Sequence, residues 1–462
     1  MYIFYDFETS GKEFLHQILS YSFILVDDAL NTIKELNGII KPNRMEIPQC
    51  GAILTNKLSI QACMQDGESE YQAAQRIYQF LETVTQEYGA TPLVGFNSAR
   101  FDFKHYEKLL LKYGLSPTFY GKITSLDIYQ YAKYCALQQT QEFPFIACRR
   151  NETDTYSFRL EDLAKAFDCL DTPQTHDARD DVLLTIALTN ALQRKTEITL
   201  SSFQALQHKM APFNTHYTLL KEPYFPFEQG ADTPLVDYHE WTVIGSVSKS
   251  TVIALNLKKY MDTPPKTLKD YAPLTRYLNT RSNACICTEH ALPNAQHTQL
   301  MTDDHIKTIG EQATHYFDLF PTDWDIEYKP WSMGFNNIDR LGNCIGMLHK
   351  KPDDYRHILD ELLDYRRSMP SEAEKANNVM RLYNRYYLNH HPNPKPEDCK
   401  KYIVPRYVTG SMYRNSLDFV SATSELSTID FHLTSQALSD HDRSILEELK
   451  AYTTNFISKF SI

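Results

Sequence analysis

The nine cysteines of this 462-residue chain form no C-x-x-C pair and follow no regular spacing, so neither a zinc site nor a disulfide framework is indicated and reduced thiols are expected. No apolar run reaches the roughly eighteen residues that a membrane span needs. Met1 leads straight into a strand-like stretch, without the charged start, apolar core and small-residue cleavage site of a secretory signal, so a cytoplasmic protein is the expectation. Positive charge is also short. Against 58 Asp and Glu stand 47 Lys and Arg, a formal net charge of -11, which argues against coating nucleic acid by bulk attraction and confines any such site to a local basic groove. Internal repeats and low-complexity tracts are missing as well. What the chain does have is length for two or three domains and many aromatics, 30 Tyr and 24 Phe, which belong mostly in cores and partly to the class that stacks on unpaired bases.

The order of patterns is mixed α/β. Tyr2 to Phe7 is apolar or aromatic and runs into Glu8, Thr9, Ser10 and Gly11, which predicts a buried strand ending in a turn. Ile18 to Val26 and Ile33 to Ile40 predict two more strands, and Pro92 to Phe96 a short buried one. Helical spacing marks Glu70 to Glu87, with Ser69 as its cap, then Phe101 to Lys112, Leu126 to Leu137, Phe158 to Phe167 and Asp177 to Gln193. Gln138 to Tyr156 is predicted as a long polar loop. These residues, 1–194, make a first domain. From 195 to 349 the chain is richer in Pro, Thr and β-branched runs such as Trp241 to Val247 and Thr251 to Leu257, predicting a small β-rich domain. From 350 to 462 a helical domain is predicted, carried by Tyr355 to Arg367, Ser371 to Leu388 and Asp440 to Phe460.

Carboxylates carry the chemistry. Asp6 and Glu8 are two apart on the first strand, so both side chains leave the same face, where they repel unless a cation bridges them. Oxygen ligands of this kind suit Mg²⁺ and phosphoryl chemistry; a solvated strand end is the bland alternative. Asp102 opens a helix after the fourth strand, where it either serves a site or favours the helix dipole. His176 and Asp181 are five apart at the entrance of another helix, for which Asp177 is an alternative cap.

The order Asp-x-Glu, then Asp, then His with Asp five residues on is more specific than any part. Asp6-Phe7-Glu8-Thr9, Asn97 to Asp102 and His176 to Asp181 resemble the three motifs of the DEDDh exonucleases, which share an RNase H-like fold. Within that superfamily, Ser157-Phe158-Arg159-Leu160-Glu161-Asp162-Leu163, Thr175-His176-Asp177-Ala178 and Gly95 to Asp102 are similar to bacterial exodeoxyribonuclease I (exonuclease I). His208-Lys209-Met210, Val252 to Leu257 and Leu382-Tyr383-Asn384-Arg385 extend the likeness to that family's SH3-like and C-terminal helical domains, though the SH3-like stretch departs from it.

The resemblance implies a 3′→5′ exonuclease that degrades single-stranded DNA to nucleoside 5′-monophosphates in DNA repair. Asp6, Glu8 and Asp181 would hold two Mg²⁺ ions, with Mn²⁺ as a substitute, and Asp102 would complete the acidic set. His176 would act as general base. Asp180 is the neighbouring alternative to Asp181, set aside because of the five-residue spacing after His176. Glu8 and Arg159 would touch the terminal nucleotide, Arg159 through phosphate; a salt bridge to Glu161 or Asp162 is its other reading. Later domains would clamp the strand, with Arg381, Arg385, Tyr383 and Tyr386 as candidates or else as an ordinary helix face. A monomer, nucleoid association and docking of the acidic tail of single-stranded-DNA-binding protein are further implications. The competing readings are an RNA exonuclease or proofreading nuclease of the same superfamily, and a non-catalytic single-strand-binding protein.

Overall fold

The computed structural model describes residues 1–11, 16–138, 157–169, 177–206, 224–225, 241–248, 251–262, 270, 274–279, 285–286, 335–368, 373–404, 408, 421–434 and 438–460. A five-stranded sheet organises the first part in the order β3-β2-β1-β4-β5, where β1 is Tyr2–Thr9, β2 Ile18–Val26, β3 Thr32–Ile39, β4 Leu93–Gly95 and β5 Ser125–Asp127. β1 pairs antiparallel with β2 and parallel with β4, which pairs parallel with β5. β1 is thus the central strand. The first three strands are the expected meander; β5 was not expected, because Leu126 heads a run whose helical spacing absorbed it. The helix begins only at Ile128.

Side-chain alternation along β1 feeds two cores. Ile3, Tyr5 and Phe7 face one, while Tyr2 and Phe4 face the other. The second core is closed by helices α5 (Ile128–Gln138), α6 (Leu160–Ala166), α7 (Ala178–Thr196) and α8 (Leu200–Leu206), through residues such as Tyr131, Leu163, Leu188 and Phe203. The first is covered by α3 (Glu70–Tyr88) and α4 (Asp102–Lys112), following the short helices α1 (Cys50–Asn56) and α2 (Ile60–Asp66). α3 starts where expected: Ser69 accepts from the Gln72 amide and Gln72 reaches back to the Ser69 amide, a reciprocal cap.

Beyond residue 206 the strands β6 (Tyr224–Phe225), β7 (Trp241–Ser248), β8 (Thr251–Asn256), β9 (Thr275–Asn279) and β10 (Cys285–Ile286) form a three-stranded antiparallel sheet, β7-β8-β9, and a β10-β6 pair. The short helix α9 (Leu257–Asp262) follows β8. Helices then take over with α10 (Phe335–Lys350), α11 (Tyr355–Ser368), α12 (Ala373–His390), α13 (Pro396–Ile403), α14 (Ala422–Leu433) and α15 (Asp440–Phe460).

These helices share the first core rather than building a separate one: Ile338, Leu341, Ile345, Leu382 and Tyr383 lie in the same cluster as Tyr5, Phe7 and Leu110. α10, assigned by the sequence pattern to the middle segment, packs with them. Its Gly342 meets Gly114 backbone to backbone, and a Cβ on Gly114 would stand 2.1 Å from the Gly342 nitrogen, so only glycine permits the approach. A third cluster joins Ile53 and Ile60 of α1 and α2 to Ile429 of α14 and Leu446 and Leu449 of α15. The end of the chain is therefore stitched to its beginning at two places. Among the described residues no helix is long and apolar enough to cross a membrane.

Candidate active site

The even-numbered face of β1 changes from apolar to acidic along its length: Tyr2 and Phe4 are buried in the second core, and Asp6 and Glu8 follow on the same face. α7 lies across this face and brings Asp181 to it, one turn inside a helix start capped by Asp177, whose side chain accepts from the amides of Arg179 and Asp180. Arg179 also ties this first turn to β3, with Nε 2.9 Å from a Glu35 oxygen. Carboxylate oxygens of Asp6, Glu8 and Asp181 all lie within 4.8 Å of one another. Asp180 faces solvent, so the geometry brings in Asp181.

Asp102 stands at the first position of α4 and is buried, close enough for its charge to act on both Asp6 and Glu8. Its position follows from a turn that leaves the end of β4. Gly95 is required there, since a Cβ would meet the Ser98 Cβ at 2.5 Å. Asn97 then adopts a left-handed conformation (φ 55°), tolerated by Asn better than by most residues, and a 3₁₀ turn over Ser98–Arg100 leads into α4. Buried Asp127, at the end of β5, accepts from this turn and was not singled out from sequence. The one available signal was an acidic residue directly ahead of a helical run, the mark of a cap.

Like charge crowded into a partly dry pocket is costly, and the carboxyls respond. Burial raises Asp6 well above the usual carboxylate range, with Asp102, Glu8 and Asp181 adding to the effect. Burial, then Asp181, Asp102 and Asp177, push Glu8 up to about 9. Asp102 is raised by burial, partly offset by its own backbone amide and reinforced by Asp127. The donor set is all oxygen and within the reach of one ion, which fits a hard divalent cation.

The other sequence candidates divide. His176 lies outside the described residues, as do Gln139 to Tyr156 of the expected polar loop and His208-Lys209-Met210. Arg159 is exposed just before α6, and neither alternative pairing is made: Glu161 holds Lys165 at 2.6 Å and Asp162 takes the Ser157 hydroxyl. The clamp set needs correcting. Tyr383, Arg385 and Tyr386 are buried, Tyr383 stacking on Tyr355 and Tyr386 standing edge-on to Tyr71, so they are core side chains. Only Arg381 of the four is exposed, and the shared face with Arg385 that helical spacing suggested is not shared in exposure.

No protein-family profile matches the chain. A stretch of 202 residues is 28% identical to exodeoxyribonuclease I of Escherichia coli (strain K12), covering 42% of this chain and 40% of that protein, so the match spans less than half of the curated relative. Among solved structures the likeness runs nearly end to end. Exonuclease I of Methylocaldum szegediense aligns over 98% of this chain and 99% of its own, with a TM-score of 0.69 and 18% identity. The zinc-ion-bound form of an Escherichia coli exonuclease I complex with single-stranded DNA aligns over 99% of both chains, with a TM-score of 0.66 and 17% identity. The chain has the exonuclease I fold.

Proposed function

We propose that the chain is a metal-dependent exonuclease that removes nucleoside 5′-monophosphates from the 3′ end of single-stranded DNA, with a role in DNA repair. The observation that carries this is the meeting of Asp6, Glu8 and Asp181, from elements far apart in sequence, in one pocket beside Asp102. That pocket lies in a fold shared with proteins named exonuclease I, one of them solved with single-stranded DNA and zinc.

In this reading Asp6, Glu8 and Asp181 would hold two divalent cations, Mg²⁺ in the cell with Mn²⁺ as a substitute, and Asp102 would complete the acidic set. When bound, such ions would supply Lewis-acid charge at the phosphodiester and lower the pKa of water. The residues of the chain do the rest. Asp6 and Glu8 are fixed by the central strand, so the pocket is preorganised by the sheet. Asp181 is set by the capped first turn of α7. His176, one residue before Asp177 in sequence, would take the proton from the attacking water. Glu8 and exposed Arg159 bind the terminal nucleotide, Arg159 by its planar fork on phosphate.

The reading carries with it three structural parts near residues 1–194, 195–349 and 350–462, a monomer in the cytoplasm and nucleoid, and docking of the acidic tail of single-stranded-DNA-binding protein. Digestion of matched DNA and RNA oligonucleotides with either end blocked tests the core of it. The expected result is release of 5′-monophosphates from DNA with a free 3′ end, stopped by a chelator. Faster loss of RNA, or attack from the 5′ end, would replace the reading.

A further inference from the structure

We infer that Asp127 is a positioning residue of the acidic pocket, anchoring the turn that places Asp102. The inference rests on the exonuclease reading for its rate arm only. β5 is in register with β4, Gly95 opposite Asp127, so the carboxylate at the end of β5 stands beside the chain leaving β4. One oxygen accepts from the Asn97 amide at 2.7 Å and from the Tyr129 amide at 2.9 Å, and the other accepts from the Ala99 amide at 3.3 Å. The Tyr129 contact alone would be an ordinary helix cap. The other two are not, because they reach 30 and 28 residues back into the turn that ends in Asp102.

The chemistry explains why the residue is an aspartate. At 2% exposure the site admits little water, and three amide donors need an acceptor with two oxygens. Asparagine has one oxygen and turns an NH₂ group toward at least one of those amides. Serine is a good helix cap and can keep the Tyr129 contact, yet is too short to serve the turn as well. Holding the turn rigid matters because, of the four pocket acids described, Asp102 is carried by neither β1 nor α7.

The full chain is to be compared with Asp127→Asn and Asp127→Ser in three measurements: kcat and KM on single-stranded DNA, Mn²⁺ binding by calorimetry to protein freed of metal, and thermal unfolding. Loss of an outer-shell partner predicts a fall of about 10–100-fold in kcat and about tenfold in Mn²⁺ affinity, with KM within about twofold. Asp127→Ser is expected to keep a cooperative melt near that of the parent while sharing both losses, which separates anchoring from capping. Parental kcat and Mn²⁺ affinity in a folded Asp127→Ser protein would overturn the inference. A parent chain inert toward DNA would sink the exonuclease reading instead, and the Mn²⁺ arm would still decide the role of Asp127.

Discussion

α4 joins two clusters of buried charge that burial treats alike and neighbours treat oppositely. At its first residue lies the acidic pocket, where Asp6, Glu8 and Asp102 are all raised. Near its far end Lys108 and Lys112, with Tyr113 just beyond, meet Glu70 of α3 and Arg385 and His390 of α12. Burial pushes the Glu70 carboxyl upward too. The Lys112 charge, with hydrogen bonds from Lys112, Tyr113 and Asn43, overcomes it and carries Glu70 down to about 2. Both regions bury carboxylates, but among the described residues the cations that act on them are seen only around Glu70. Carboxylates raised by one another suit a site that takes up a cation, whereas Glu70 is matched by Lys112 and fastens the last helices to the first core.

The sharpest way to break this contrast is to remove charge from each cluster in turn. Asp6→Asn or Asp181→Asn should lower kcat by on the order of 10³-fold or more, because several kcal/mol of transition-state stabilisation pass through the ions these residues hold. The same variants should melt no lower than the parent in metal-free buffer, since a repelling charge is gone. Retained turnover in steady-state assays of either variant would refute the ligand assignment. Lys112→Met should instead leave Glu70 buried with its main partner removed and cost about 3–5 kcal/mol in denaturant unfolding. A loss under about 1 kcal/mol would show that the two clusters differ less than their surroundings indicate.

Metal should sharpen the same comparison. Mg²⁺ at about 100 times its dissociation constant should stabilise the parent by about 2.7 kcal/mol, and Asp6→Asn should abolish that response while Lys112→Met keeps it. An equal response in all three proteins would place the ion elsewhere.

The smallest effect comes from pH. Lys108 is lowered to about 7 by burial, with Lys112 and Arg385 adding to it and Glu46 and Glu70 opposing, against an ordinary value of 10.5. Between those values the unfolded chain binds more protons at this position, so the Lys108 contribution to stability grows as pH rises from 7 toward 10.5. The slope is at most about 1.4 kcal/mol per pH unit. Glu70 acts with the same sign in a lower window: its contribution is full above about 4.5 and is lost as pH falls through about 2. Unfolding curves from pH 7 to 9 should rise less steeply in Lys108→Met than in the parent, and parallel curves would remove Lys108 from the account.

The parts of the pocket that were legible share one property, local encoding. The Asp6 and Glu8 pair could be placed on one face because strand alternation is fixed by neighbouring peptides, and the Ser69 start of α3 because a cap needs only four residues. Asp127 was missed for the complementary reason. Its partners Asn97 and Ala99 lie across a strand pairing, and β5, three residues long, carries too little pattern to stand out from the helix behind it. On α12, periodicity grouped Arg381 with Arg385 but said nothing about what would cover them. α3, α4, α10 and α11 cover Arg385, Tyr383 and Tyr386 and turn imagined strand-binding residues into core.

By itself, then, the order of residues determined the opening strand, its two carboxylates, the helix that carries Asp181 and the mixed α/β class. Those follow from steric alternation, capping and apolar spacing, which act over a few bonds. Tertiary structure alone decided that four acids from three elements share one pocket, that Lys112 neutralises Glu70, and that the last helices close the first core. Charge interactions and burial depend on distance through space, and only the folded chain sets that distance.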